Sequence, residues 1–169
     1  MSTADGYLAR LDAVEARLAA AAATEPPHGA LTGADPDSGD RWDRGQVWAH
    51  LSEFIPYWII QAGPVLRGQP SGEPVPFGRT KGDPERVGAI ERDRHEPVSV
   101  LWADTRGEIA ALRGFLAAMQ PDQWEIRGQH PTRGPMTVDE LVEMFLVGHL
   151  EEHADQLEGM RPVTVNVGR

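Results

Sequence analysis

Leu146-Val147-Gly148-His149-Leu150-Glu151-Glu152-His153 sets two histidines into a run that otherwise alternates apolar and acidic residues at helical spacing. Two histidines four residues apart on a helix leave the same face one turn apart, so both imidazoles reach a single metal ion. Upstream of them Thr137 is placed to cap the helix, with Glu140 three residues on at capping-box spacing. On a helical wheel Val138, Val142, Phe145, His149, His153 and Gln156 share one arc, so the histidines continue the buried stripe instead of opposing it. Gly159 and Pro162 end the helix, and the alternating tail Val163–Val167 reads as a strand that would pair elsewhere, a second subunit being one partner.

Outward from this helix the chain holds three more apolar stripes at helical spacing. Leu8, Leu11, Val14, Leu18 and Ala22 predict a helix over Ala4–Ala22, and Val47, Leu51, Phe54, Trp58, Ala62 and Val65 predict another over Trp42–Arg67. Asp40 or Asp43 caps the second, and Pro56 removes one backbone donor within it and bends it. Val100, Leu101, Thr105, Ile109, Leu112, Leu116 and Met119 predict a third long helix, opened by Pro97 and closed at Met119 or Gln120. A short helical turn over Glu85–Arg94 precedes it. Ala23–Asp40 and Gly68–Pro84, rich in Gly and Pro, predict long loops, and no run of residues reads convincingly as a strand. Four one-sided stripes imply an all-α four-helix bundle with long loops, a single domain over residues 1–169.

Composition excludes several classes of function. Acidic residues outnumber basic ones 26 to 16, the formal charge is −10, and the basic residues are scattered, so neither nucleic acid nor anionic membrane is an expected partner. No apolar run approaches the length of a membrane span and no basic segment leads into an apolar signal core, so a cytoplasmic protein is expected. The absence of cysteine excludes disulfides, a cysteine nucleophile and thiolate metal ligands; any thiol chemistry must bring its thiol from outside.

A catalytic metal site takes about three protein ligands, and the pair His149 and His153 supplies two. His50 is the best third, on the buried flank of the second helix, because His28, His95 and His130 fall in loops or junctions. Glu53, one turn beyond His50, and Glu152, beside His153, are placed to orient imidazoles as hydrogen-bond acceptors or to serve as ligands themselves. Arg79, Arg86 and Arg94 are candidates to receive a carboxylate of a cofactor or substrate, and His130 to approach the pocket mouth. Trp48, Trp58, Trp102 and Trp124 are expected in the core or pocket wall.

The chain resembles the DinB/YfiT-like superfamily of metal-dependent four-helix bundles, which includes bacillithiol and mycothiol S-transferases and a mycothiol-dependent maleylpyruvate isomerase. Val47-Trp48-Ala49-His50-Leu51 looks like the family's first-ligand helix, and Gly134-Pro135-Met136-Thr137 with Leu141 and His149-x3-His153 looks like its last. The resemblance implies a three-histidine site at His50, His149 and His153 holding zinc or nickel. His149, where the isomerase branch tends to carry glutamate, places the chain nearer the all-histidine branch. The function so implied is a divalent-metal-dependent transferase that activates a low-molecular-weight thiol such as mycothiol for attack on a small electrophile. The alternatives are a hydrolase using metal-bound water, with Glu53 or Glu152 as base, and a non-catalytic, stress-associated metal-binding domain acting as a homodimer.

Overall fold

A computed structural model describes residues 2–162. The first long helix, α1 (Thr3–Ala23), starts on Ser2, whose hydroxyl accepts from the Asp5 N–H while the Asp5 carboxylate accepts from the Ser2 N–H. The second, α2 (Arg44–Arg67), repeats the device with Asp43 and Gln46, which selects Asp43 over Asp40 as the cap. It continues through both Pro56 and Pro64. The short α3 (Pro84–Asp93) has Asp83 as cap and proline at its first position, and α4 (Val98–Ala118) follows Pro97. The last helical stretch begins at Thr137, boxed with Glu140 as the spacing predicts. It runs as α5 (Val138–Val142), a π-helical turn (Glu143–Val147) and α6 (Gly148–Glu158).

These helices pack as a ring in the order α1, α4, α2, α6. Consecutive long helices α1 and α2 therefore stand on one diagonal, and α4 and α6 on the other. A diagonal crossing needs more chain than a hairpin between neighbours, which accounts for the long connections 24–43 and 119–137. The shared core takes Leu11, Leu18, Leu51, Phe54, Ile109, Leu112, Leu116, Leu146 and Leu150, all without solvent exposure. Val100, assigned above to the α4 stripe, is instead 45% exposed, because the buried arc of α4 runs through Leu101, Thr105, Ile109, Leu112 and Leu116.

Two small sheets that the sequence pattern does not predict accompany the helices. β1 (Ala30–Leu31) pairs antiparallel with β5 (Arg161–Pro162), and a three-stranded sheet joins β2 (Val75–Pro76), β3 (Arg127–His130) and β4 (Gly134–Thr137) in the order β2-β3-β4. The β3–β4 hairpin places His130 opposite Gly134, and β2 lies parallel to β3. Strands of two to four residues carry too little alternation to register as a sequence pattern. The anticipated strand Val163–Val167 lies outside the described residues.

Candidate metal centre

The site forms where α2 meets α6. His50 leaves the buried face of α2, and His149 and His153 leave α6 one turn apart. The Nε2 of His149 lies 3.1 Å from that of His50 and 3.0 Å from that of His153. Among the described residues these three form the one group of His, Asp or Glu side chains spaced to hold an ion, with their ligand atoms within 4.8 Å of one another.

The other ring nitrogen of each histidine faces an acceptor three residues further along the same helix. His50 Nδ1 lies 3.3 Å from Glu53 Oε2, His149 Nδ1 lies 3.1 Å from Glu152 Oε2, and His153 Nδ1 lies 2.8 Å from Gln156 Oε1. An acceptor at Nδ1 draws the proton there, so all three Nε2 lone pairs converge on one point. Lone pairs gathered this closely, with His149 Nε2 about 3 Å from each of the other two, repel one another unless a cation stands among them. Burial opposes a proton in that place: desolvation pushes His50 well below the ordinary imidazole range, and desolvation with the neighbouring His149 takes His153 down to about 3. A divalent ion satisfies the same donors, since bonds of ~2.1 Å from three nitrogens to one metal hold those nitrogens roughly 3–3.5 Å apart. The donor set fits an imidazole-binding metal and leaves room for further ligands.

Aromatic rings wall the site. Trp42, which immediately precedes the α2 cap, has its ring 5.4 Å from His50, edge-on, and 6.3 Å from His153 at an interplanar angle of 4°. Phe54 lies 5.1 Å from His50 and 4.8 Å from His149. Outside them opens a cavity of about 820 Å³, floored by the three histidines and rimmed by Trp58, Arg86, Lys81, Arg133 and the loop Asp35–Ser38. Lys81 bonds both Asp35 and Asp37 at 3.0 Å, tying the two long loops together across the mouth.

Other candidates fall where their local chemistry sends them. Arg79 is buried, ion-paired to Glu53 and laid over the Tyr57 ring at 3.7 Å, so it supports the carboxylate that orients His50 instead of offering a free fork. Desolvation raises Glu53 while Arg79 opposes that rise; His149 lowers Glu152. Arg94 does not line the cavity: its guanidinium is taken by Asp43 and Glu91. Arg86 does line it, giving one N–H to the Lys81 carbonyl at 2.7 Å. His28 and His95 are exposed, as expected. His130, expected in a loop near the pocket mouth, ends β3 and is buried in the cavity wall between Trp58 and Phe145, its ring 6.1 Å from one and 5.1 Å from the other. Gly78 takes φ +87° beside it, and a Cβ there would come within 2.6 Å of the His130 ring. Trp48 and Trp124 are core residues and Trp58 is both core and wall.

Two features of the site escaped the sequence reading. Trp42 stood at the edge of a predicted helix, and an aromatic directly before a capping aspartate was the signal available for its inward turn. The π-helical turn had no sequence signal apart from Gly148, whose N–H reaches back five residues to the Glu143 carbonyl. Arg10 of α1 clasps Glu143, the first residue of that turn, and Glu151 beyond its end.

No family model matches the sequence, and no curated protein matches it. Among solved structures the chain is similar to YfiT from Bacillus subtilis, described as a probable metal-dependent hydrolase with an unusual four-helix bundle topology. The TM-score is 0.68 at 20% identity, over 92% of this chain and 83% of that one. A match of this extent gives the chain the four-helix-bundle fold of that structure.

Proposed function

We propose that this chain is a divalent-metal-dependent transferase that joins a low-molecular-weight thiol, of which mycothiol is one example, to a small electrophile. The observation that carries this reading is the commitment of both nearby carboxylates. Glu53 has both oxygens engaged, by His50 and Arg79, and Glu152 spends one oxygen on His149 Nδ1, the ring nitrogen turned away from the Nε2 face, so both carboxylates are engaged in orienting imidazoles. A divalent ion held by His50, His149 and His153, with zinc or nickel suited to three imidazoles, supplies acidity to the nucleophile brought to it. A thiol ionises far more readily than water and needs no carboxylate base there. The chain's own residues then set position: Glu53, Glu152 and Gln156 fix the imidazole rings, Trp42 and Phe54 flank them with apolar faces, and the cavity has room for two small molecules side by side. The absence of protein cysteine keeps the incoming thiol from being trapped as a disulfide.

The second reading, a hydrolase, is favoured by the description of YfiT. One assay separates the two. Metal-loaded protein is expected to consume monochlorobimane only when a small thiol is supplied, with a chelator abolishing the reaction. Metal-dependent ester or amide hydrolysis without thiol, and no thiol-dependent consumption, would establish the hydrolase instead. If neither occurs and chelation merely lowers the melting temperature, the chain is a non-catalytic metal-binding domain.

A further inference from the structure

Three arginines were candidates to receive an anion, and the structure separates them by what each already holds. Arg79 is consumed by Glu53 and Tyr57, and Arg94 by Asp43 and Glu91. Arg86 is half-buried in the cavity wall, and among the described residues it makes no ion pair. Its side chain gives one N–H to the Lys81 carbonyl, which leaves an edge of the guanidinium fork uncommitted. Burial lowers its pKa, the mark of a cation that has lost water without gaining a bonded carboxylate.

Its placement relates it to the imidazoles. The Arg86 guanidinium carbon lies 5.5 Å from the Trp42 ring, and that ring stacks at 4° on His153 and meets His50 edge-on at 5.4 Å. The cation thus sits one indole ring away from the converging nitrogens, in the same cavity. We propose, building on the functional reading above, that Arg86 with Trp42 beneath it is the carboxylate anchor of this cavity, so that the small-molecule substrate carries a carboxylate one ring's width from its reacting atom.

A carboxylate suits this position better than a phosphate dianion. A planar fork matches two carboxylate oxygens in its own plane. The neighbourhood is too acidic for a more highly charged group: Asp35, Asp37 and Glu152 all line the cavity, and Lys81, the chain's one lysine, is already neutralised by the first two. Trp42 offers an apolar face for the body of the molecule between its two ends.

The test measures binding with no metal present, because an ion would itself compete for a carboxylate. Chelator-treated protein at about pH 8, where imidazoles are neutral, is titrated with benzoate and with benzamide by ligand-detected NMR. Benzoate is expected to bind more tightly than benzamide. Arg86→Gln should weaken benzoate about tenfold and leave benzamide unaltered. Arg86→Lys, which keeps the charge but lacks the fork, should fall between, and both variants should retain the metal content of the natural protein. Arg133→Gln removes a charge at the exposed rim and should change benzoate binding by less than about twofold. Equal affinity for benzoate and benzamide, or an Arg86→Gln protein that binds benzoate as tightly as the natural one, would overturn the proposal. A loss in Arg133→Gln as large as that in Arg86→Gln would overturn it too, by assigning the effect to a diffuse field. Failure to find metal in the purified protein would defeat the functional reading while leaving this measurement intact.

Discussion

The two sides of the bundle use the same helical period for different ends. Where α1 meets α4 the facing positions are aliphatic, among them Leu11, Leu18, Ile109, Leu112 and Leu116, and the polar contacts between these helices stay at the surface, Arg113 pairing with Asp12 and Glu15. Where α2 meets α6 the same kind of position is occupied by His50 and His153, both at least 96% buried, with a fixed acceptor behind each ring. Apolar burial stabilises in proportion to area, whereas a buried imidazole with its lone pair facing two others costs free energy until a cation arrives. The first interface is built to hold the fold, and the second is held by it.

The largest effect is expected from substitution of the histidines. His50→Ala or His149→Ala is expected to lower metal affinity by more than about 100-fold, since each would remove one of the three proposed ligands. Metal content after dialysis, measured by mass spectrometry, checks this, and full occupancy in both variants would remove the basis of the functional reading. The counterpart on the other interface is Leu112→Ala, expected to cost about 3 kcal/mol of stability by denaturant unfolding while leaving metal content unchanged. Should Leu112→Ala also release the metal, the two interfaces are one cooperative unit.

A smaller effect is expected behind the ligands. Glu53→Gln keeps the shape and a hydrogen bond to His50 Nδ1 but removes the negative charge and leaves buried Arg79 without its ion pair. Metal affinity should fall about 10- to 100-fold, less than for loss of a ligand. Competition with a chromophoric chelator measures it, and an unchanged affinity would mean Glu53 serves the fold alone.

The ease of reading the sequence followed the same division. The four stripes were legible because aliphatic residues at i, i+3 and i+4 signal a helix whatever it packs against, and the caps Thr137 and Asp43 were legible from their boxes. The metal candidates were legible because two lie on one helix at a metal-binding spacing, and the third on the buried flank of another. The acceptor pattern was also present in the chain, as His50/Glu53, His149/Glu152 and His153/Gln156, each pair separated by three residues. What could not be read was anything set by the meeting of separate segments. The diagonal order of the helices, the parallel pairing of β2 with β3, and the contrast between occupied Arg79 and uncommitted Arg86 each depend on residues far apart in sequence. A loop arginine looks the same in a sequence whether or not a carboxylate awaits it.

The metal-free protein is expected to lose stability on acidification at the histidine interface. His50 and His153 have folded pKa values below the unfolded imidazole value, so the unfolded chain binds more protons once pH falls beneath about 6.5. Their neutral forms are fully compatible with folding above that pH, and stability is lost as pH falls from there toward the folded value of about 3 for His153. Each imidazole contributes a slope of up to about 1.4 kcal/mol per pH unit. Urea unfolding of chelator-treated protein between those limits should therefore show declining stability on acidification, and His153→Gln should flatten the decline. A pH-independent stability across that range would mean the rings are not desolvated as their burial indicates.

The smallest effect belongs to the surface of the aliphatic interface. Arg113 reaches from α4 to Asp12 and to Glu15 of α1, the latter at 2.8 Å, with all three side chains substantially exposed. Water and salt screen such pairs, and ordering three long side chains offsets part of the attraction, so Arg113→Ala is expected to cost less than about 1 kcal/mol and progressively less as salt is added. Unfolding at low and high salt measures both quantities. A loss as large as that of Leu112→Ala would mean that charge rather than apolar burial holds α1 to α4, and the two interfaces would then differ in what is buried but not in what binds them.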